Sequence, residues 1–168
     1  FGVLYKMADT NTKYDIVVFG ASGYTGRLVA EYLQREYANT GLKWAMAGRS
    51  LDKLASVRTA LGIPDTVDLV SVDSDDAASV GQMVSDCKVV ITTVGPYQIY
   101  GEELIKQCSE QGTYYVDLSR EPSWMHETIA QHSAAAKATG ARIVHSCGFD
   151  SIPFDLGVYC LQQHAITQ

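Results

Sequence analysis

Several features that often assign a protein to a class are missing from this sequence of 168 residues. No histidine pair has ligand spacing, and there is no C-x-x-C motif among the cysteines, which are Cys87, Cys108, Cys147 and Cys160. These absences disfavour structural zinc and favour reduced thiols in a cytosolic compartment. No apolar run reaches the roughly 18 residues that cross a membrane. The formal net charge of −6 disfavours a nucleic-acid surface. Together, these observations predict a cytoplasmic domain with no metal, no nucleic acid and no membrane span.

The first residues also lack the charged start and the cleavage site of a secretory signal. We expect residues 1–13 to be an N-terminal extension, in which Met7 is the natural start and Phe1–Lys6 do not belong to the natural protein. With 46% hydrophobic and 19% charged residues, the chain has the composition of one globular domain, which we place at residues 14–168.

What the sequence does contain is a short apolar run that breaks into closely spaced glycines. The run Ile16–Phe19 has the β-branched and aromatic composition of a strand buried on both faces of a parallel sheet. Gly20 allows a sharp turn, Gly23 lets a pyrophosphate approach the amides that open the next helix, and Gly26 allows close helix packing. An ordinary glycine-rich turn is the alternative, but the strand before it and the helix after it favour a dinucleotide site. The predicted loop comprises Gly20, Ala21, Ser22, Gly23, Tyr24, Thr25 and Gly26.

Strands and helices are predicted to alternate along the rest of the chain. Further strands are expected at 43–48, 67–73, 88–94, 114–119 and 142–146, and further helices at 51–61, 75–85, 101–111, 122–139 and 154–163. On the helix after the glycines, the residues expected to face the sheet are Leu28, Val29, Tyr32 and Leu33. Right-handed crossovers then predict an α/β fold, a Rossmann-type doubly wound parallel sheet with strand order 3-2-1-4-5-6.

The acidic residue that would select NAD is missing after the second predicted strand. Enzymes that use NAD usually place Asp or Glu about 20 residues after the glycines to hold the ribose 2′-hydroxyl. This sequence has Arg49 and Ser50 there, a cation and a small donor that suit a 2′-phosphate. The alternative is a solvated Arg49 and a Ser50 that only caps the helix at 51–61. The missing acid and the present cation together predict NADP, with NAD less favoured.

Further candidates lie where predicted strands end, because ligands of open α/β sheets bind outside the carboxyl ends of the strands. One candidate segment comprises the last residue of the fourth predicted strand and the three residues that follow it. This segment would lie beside the ribose and nicotinamide of the cofactor, or it would only form a rigid turn with Tyr97 on the surface. These four are Val94, Gly95, Pro96 and Tyr97. Asp73 either contacts adenine or caps a helix. Asp117 is the one candidate catalytic residue, and a buried structural aspartate is its alternative.

Two local features of the last third of the chain have structural explanations. His126 and His132 lie in the middle of a predicted helix, so we expect surface residues there rather than catalytic bases. Asp150 or Ser151 is the expected N-cap of the last helix, because Pro153 follows at a position typical of a first helical turn.

Five ordered sequence blocks together resemble one oxidoreductase family. The blocks are Val18–Gly26, Ala47–Ser50, Val94–Tyr97 with Gly101, Tyr115–Asp117 and Ser146–Pro153. They look like the amino-terminal domain of the saccharopine dehydrogenase-like oxidoreductases, and the resemblance runs from about Tyr14 to the carboxyl end. One departure is Arg120, at a place where relatives more often have Gly.

The resemblance implies an NAD(P)-binding domain followed by a second domain that completes the active site and often mediates dimers. We therefore expect a fragment of a longer protein, inactive alone, whose missing domain binds a small-molecule or lipid-linked substrate and forms a homodimer. The family also contains members similar to trans-acting enoyl reductases of lipid synthesis and animal members linked to lipid droplets. Membrane or lipid-droplet association of the full-length protein is therefore an alternative to a purely cytoplasmic location.

The leading functional hypothesis is an NADP-dependent oxidoreductase, and a trans-acting enoyl reductase-like role in lipid metabolism is an alternative within this class. Short-chain dehydrogenases and sugar-nucleotide epimerases share this glycine spacing, but both families also share a Tyr that is followed four residues later by a Lys. No Tyr in this sequence has that partner. A non-catalytic dinucleotide-binding module that controls protein or lipid interactions is a different class, and the sequence leaves it open.

Overall fold

The computed structural model describes residues 12–167 and contains one six-stranded parallel sheet. The strands are β1 (Tyr14–Phe19), β2 (Trp44–Gly48), β3 (Asp68–Ser71), β4 (Cys87–Thr92), β5 (Tyr114–Val116) and β6 (Ile143–Val144). Their spatial order is β3-β2-β1-β4-β5-β6, and all neighbouring strands are parallel. The predicted fold class and strand order are confirmed, whereas most of the predicted extension at 1–13 lies outside the described residues.

Helices connect the strands and cover both faces of the sheet. They are α1 (Tyr24–Tyr37), α2 (Leu51–Ala60), α3 (Ala77–Ser85), α4 (Tyr97–Tyr100), α5 (Glu102–Gln111), α6 (Pro122–Thr139) and α7 (Ile152–Ile166). The sequence pattern does not predict α4, because four residues are too few to show a helical periodicity. Between residues 12 and 167, no helix combines the length and the apolar character that crossing a membrane requires.

The alternation of side chains along β1 builds two apolar cores. Val17 and Phe19 belong to one buried cluster, and Val18 belongs to the other, so the strand is buried on both faces as its composition predicts. The first cluster extends to Leu104 and Ile105 of α5. Burial of this central strand places its carboxyl end, where the glycine loop begins, at a fixed position on the sheet edge.

Helix α1 packs through part of the predicted face, because Leu33 is buried and Val29 is half-buried against the core as expected. Gly26, Ala30 and Leu33 are buried, whereas Leu28 and Tyr32 have exposed fractions of 50% and 49%. The prediction followed the large apolar side chains, but the start of the helix is held against the glycine turn by the close approach of Gly26. Residues four and seven positions after Gly26 share its side of the helix, so the small residues face inward.

The last helix, α7, has no buried residue. Its large apolar side chains include Phe154, Leu156 and Leu161, with exposed fractions of 68%, 53% and 72%. Of the two predicted N-cap candidates, Ser151 occupies the N-cap position, although its side chain makes no capping hydrogen bond. Asp150 instead pairs with Arg120, with Oδ2 and Nη1 2.8 Å apart. The described part of the chain therefore leaves α7 uncovered.

Candidate functional site

The glycine loop between β1 and α1 has the backbone that a tight turn requires. Gly20 has a φ of +89°, in the left-handed region that other residues rarely adopt. A Cβ atom built at Gly20 would lie 2.7 Å from Oγ1 of Thr93, and one built at Gly26 would lie 2.8 Å from Cα of Ala21. Side chains are therefore excluded at both positions by close contacts, and at Gly20 by the backbone conformation as well.

The amino terminus of α1 has the features of an anion-binding site. Its N-cap residue is Gly23, which offers no side-chain hydrogen bond, and the first turn contains no acidic residue. The first N–H groups of a helix have no intrahelical partner, and the helix dipole favours negative charge there. By contrast, α2 and α3 are capped by the side chains of Ser50 and Asp76. Tyr24 and Thr25 open α1 and contribute amides to this end.

The glycine loop, the end of β2 and the turn after β4 surround one open cleft of about 270 Å³. It lies at the carboxyl ends of the strands, where doubly wound sheets bind ligands. The predicted residues that line it are Gly20, Ser22, Gly23, Arg49, Ser50, Val94 and Gly95. Lining residues that the sequence analysis did not single out are Phe19, Gly48, Lys53, Ser74, Thr93 and Tyr100. The cleft therefore joins three predicted segments that are distant in sequence.

Two cations face the cleft without partners of their own. Within residues 12–167, neither Arg49 nor Lys53 has a side-chain ion pair or hydrogen bond. Ser50 lies between them and caps α2, since its Oγ accepts a hydrogen bond from the Lys53 amide at 3.3 Å. Unpaired cations beside an uncapped helix terminus fit a dinucleotide with an extra phosphate. Lys53 could have been found from the sequence, because it lies three residues after a predicted N-cap and so shares its side of the helix.

The turn after β4 presents its backbone to the cleft and its tyrosine to the core. Val94 and Gly95 line the cleft, but the Tyr97 ring is only 7% exposed, so the alternative of a surface Tyr97 is wrong. The Tyr97 hydroxyl donates to the Thr92 carbonyl and accepts from the Leu118 amide, each at 3.2 Å. Burial raises the pKa of Tyr97 to about 12, so the phenol stays protonated. The tyrosine that lines the cleft is instead Tyr100, three residues later in α4.

Asp73 does not cap α3. The cap is Asp76, whose Oδ1 accepts from the Ala78 amide at 3.1 Å. Asp73 Oδ1 accepts from the Asp75 amide at 3.1 Å and so forms a local turn. The adjacent Ser74, rather than Asp73, lines the cleft, and an adenine contact for Asp73 stays a prediction.

Asp117 lies in the interior, with 1% of its surface exposed. Its Oδ2 accepts from Nδ1 of His145 at 2.7 Å and from the Tyr115 hydroxyl at 2.8 Å. Its Oδ1 accepts from the amides of Ser119 and Ser146 at 2.9 and 2.8 Å. Burial raises the pKa of Asp117, but these hydrogen bonds lower it by more, and the pKa lies below its ordinary value. Because both oxygens are occupied, the geometry supports the structural alternative for Asp117.

The two helical histidines lie away from the cleft. His126 is exposed, and Nε2 of His132 lies 2.7 Å from Oε1 of Glu102 on the neighbouring helix α5. The histidine that matters for the architecture is His145, which the sequence analysis did not single out. Its partner Asp117 precedes it by 28 residues, and no local pattern pairs them.

Comparisons with known proteins agree with this geometry. Residues 16–144 match the family described as the saccharopine dehydrogenase NADP binding domain. A Mycobacterium tuberculosis protein with the provisional name trans-acting enoyl reductase is 44% identical over 160 residues, covering 95% of this chain and 38% of that protein. The lipid droplet localized protein of Caenorhabditis elegans is 42% identical over 159 residues, covering 91% of this chain and 37% of that protein.

A solved structure shares the fold. Apo saccharopine dehydrogenase (L-Glu forming) from Saccharomyces cerevisiae matches with a TM-score of 0.63 and 21% identity, over 82% of this chain and 28% of that chain. This chain thus spans well under half the length of each of these three proteins. The family match covers most of the chain and includes the glycine loop, Arg49 and the turn after β4. The chain therefore belongs to the saccharopine dehydrogenase NADP-binding domain family.

Proposed function

We propose that this chain is the cofactor-binding domain of an NADP-dependent oxidoreductase whose substrate is a lipid-linked enoyl compound. NADP is the cofactor of the domain family to which the chain belongs. The observation that carries the proposal is the pair of cations Arg49 and Lys53, which have no side-chain partner among the described residues and lie in the same cleft as the uncapped amino terminus of α1. Two anionic groups of one ligand, a pyrophosphate and a 2′-phosphate, account for both features.

Each part of the cleft has a distinct role in this proposal. The amides that open α1, beside Gly23, hold the pyrophosphate. Arg49, Ser50 and Lys53 hold the 2′-phosphate through charge-assisted hydrogen bonds. The backbone of Val94 and Gly95 and the side chain of Tyr100 border the nicotinamide half. The bound cofactor supplies hydride chemistry, and the chain's own residues bind it, orient it and complement its charge.

The substrate part of the proposal rests on relatives. The Mycobacterium tuberculosis relative carries an enoyl reductase name, and the Caenorhabditis elegans relative carries a lipid droplet name. The first name gives an enoyl substrate and the second a lipid location, and together they support a lipid-linked enoyl compound as the proposed substrate. Since the chain spans less than two fifths of either relative, we assign substrate binding and lipid-droplet association to the rest of the full-length protein.

Calorimetric titration with NADPH and with NADH tests the cofactor site. For Arg49→Ala, we expect NADPH affinity to fall about tenfold or more, because a charge-assisted contact to the 2′-phosphate is lost. NADH affinity should stay unchanged, because NADH carries no 2′-phosphate. The wild-type chain should accordingly prefer NADPH.

Arg35→Ala is the matched control, because Arg35 is an exposed arginine on α1 that pairs with Glu36 and does not line the cleft. It should leave both affinities unchanged. Equal binding of the two nucleotides by the wild-type chain would overturn the assignment, as would an Arg49→Ala variant that keeps its preference for NADPH.

A further inference from the structure

Glu121 holds the turn after β4 from outside the cleft. Its Oε1 accepts the Tyr97 amide and its Oε2 accepts the Gln98 amide, both at 2.8 Å. These are the first two N–H groups of α4, whose own N-cap residue, Pro96, provides no side-chain hydrogen bond. A carboxylate 24 residues away in sequence therefore does what a local cap does in α2.

The opposite side of the same turn is fixed by the core. The Tyr97 ring packs against Trp124, with ring centroids 5.8 Å apart, and its hydroxyl bonds to the backbone of the last residue of β4 and to the backbone just after β5. A Cβ built at Gly101 would lie 2.6 Å from the Trp124 ring, so α4 has no space to shift toward α6. The backbone at Val94 and Gly95 thus lies between a packed core and the open cleft.

Glu121 is itself placed by the network around Asp117. Its amide donates to the Ser119 hydroxyl at 3.3 Å, and the Ser119 amide donates to Asp117. The Ser146 hydroxyl donates to the Ser119 carbonyl at 2.6 Å. Ser146 has a φ of 58°, an uncommon left-handed conformation. The hydrogen bond that its backbone amide donates to Asp117 helps to maintain this conformation. A continuous set of hydrogen bonds therefore connects β5, β6 and the turn after β4.

We infer that Glu121 is a positioning residue for the nicotinamide half of the cofactor: its carboxylate fixes the backbone from Gly95 to Gln98 without touching the ligand. The inference rests on the proposed function, which puts nicotinamide at this turn. A carboxylate suits the task because it has two acceptor oxygens for two amides, whereas a glutamine side chain has only one acceptor oxygen. Glu121 is half-buried and does not line the cleft, so its action is indirect.

The test compares two ligands that differ only in nicotinamide. In Glu121→Gln, we expect NADPH affinity to fall about tenfold, while affinity for 2′-phospho-ADP-ribose, which lacks nicotinamide, stays unchanged. Hydrogen exchange of at least one of the Tyr97 and Gln98 amides should accelerate at least tenfold, because the glutamine NH2 group cannot accept the hydrogen bond that the second carboxylate oxygen accepted. Glu127→Gln, an exposed glutamate in α6, is the matched control and should leave all three measurements unchanged.

The outcomes separate this inference from the proposed function. Unchanged NADPH binding in Glu121→Gln, with a wild-type chain that binds NADPH, would overturn the positioning role alone. An equal loss for both ligands would also overturn it, because the effect would then be general rather than directed at nicotinamide. A wild-type chain that binds neither ligand would overturn the proposed function, and the positioning role with it.

Discussion

Asp117 illustrates how one buried residue organises the edge of this sheet. It is surrounded by four donors, and each of its oxygens accepts two hydrogen bonds from different parts of the chain. A buried carboxylate without such partners would be costly, because burial disfavours the charged form. The partners make the charge favourable, and in return the charge fixes the backbone that follows β5 and β6.

The lowered pKa of Asp117 has a consequence for acid stability. Because the folded pKa lies below the unfolded value of about 3.9, the ionised carboxylate stabilises the fold above that value. This contribution is lost as the pH falls through the folded pKa. We expect Asp117→Asn to lower the free energy of unfolding by about 3 kcal/mol near neutral pH, and by progressively less below about pH 4.

Urea unfolding at a series of pH values measures this difference. Asp155→Asn, at an exposed position in α7, is the control and should show little change at any pH. A constant difference between wild type and Asp117→Asn, from neutral pH to below the usual pKa of Asp, would contradict the assignment of the charge to this network.

At the scale of elements, the amino termini of α1 and α2 differ in how their first backbone amides, which have no intrahelical partners, are satisfied. Helix α1 leaves its first amides open behind Gly23, whereas α2 closes its own with Ser50. The open terminus borders the cleft and suits an anion. Ser50 combines two functions at one position, because it caps α2 and lines the cleft beside Arg49.

Replacing Ser50 separates these two functions. Asp is as good an N-cap as Ser, so we expect Ser50→Asp to change the free energy of unfolding by less than about 0.5 kcal/mol. Its negative charge should repel the 2′-phosphate and reduce NADPH affinity more than tenfold, whereas NADH affinity should stay unchanged or rise, because a carboxylate here suits a ribose 2′-hydroxyl. Ser50→Ala, the comparison variant, should lose about 1 kcal/mol of stability with the cap. Full NADPH affinity in Ser50→Asp, measured by calorimetry, would exclude Ser50 from the phosphate site.

At the scale of the whole molecule, one edge of the sheet brings the segments that line the cleft together, whereas helix α7 has no buried residue. The ends of β1, β2 and β4 meet at the cleft, since parallel strands all point to the same edge. Helix α7 has a mostly apolar sequence, yet none of its residues is buried by the described chain. Among residues 12–167, its apolar side chains therefore gain no stability from burial, and a helix of 15 residues without a buried face is marginal.

Amide hydrogen exchange should reveal this difference across the molecule. We expect amides of α7 to exchange at least about a thousandfold faster than those of β1, which opens only with the whole fold. Helix α1 is the internal control, because it has 14 residues and a buried face, and its amides should be intermediate. Equal protection of α7 and β1 would show that another surface covers α7.

The sequence by itself determined the fold, the glycine loop and the cofactor. The strand order follows from the alternation of predicted strands and helices along the chain and from the right-handedness of the crossover connections. The first is a local pattern and the second is a general rule. The glycine spacing alone predicts the sharp turn at Gly20, which has a positive φ, and the close approach of Gly26 to the backbone of the turn. That Arg49 and Ser50 lie at the cleft could be predicted, because they follow β2 at a known distance from the glycines, whereas their contact with a 2′-phosphate stays a prediction.

Only the tertiary structure decided which side chains meet. Tyr97 lies under the turn instead of on the surface, α1 turns Ala30 rather than Leu28 inward, and Glu121 reaches amides 24 residues away. The pairing of Asp117 with His145 likewise spans 28 residues. Periodicity and spacing describe neighbours within an element. Contacts between elements depend on how the elements pack, because many distant pairs have the right chemistry and packing selects one.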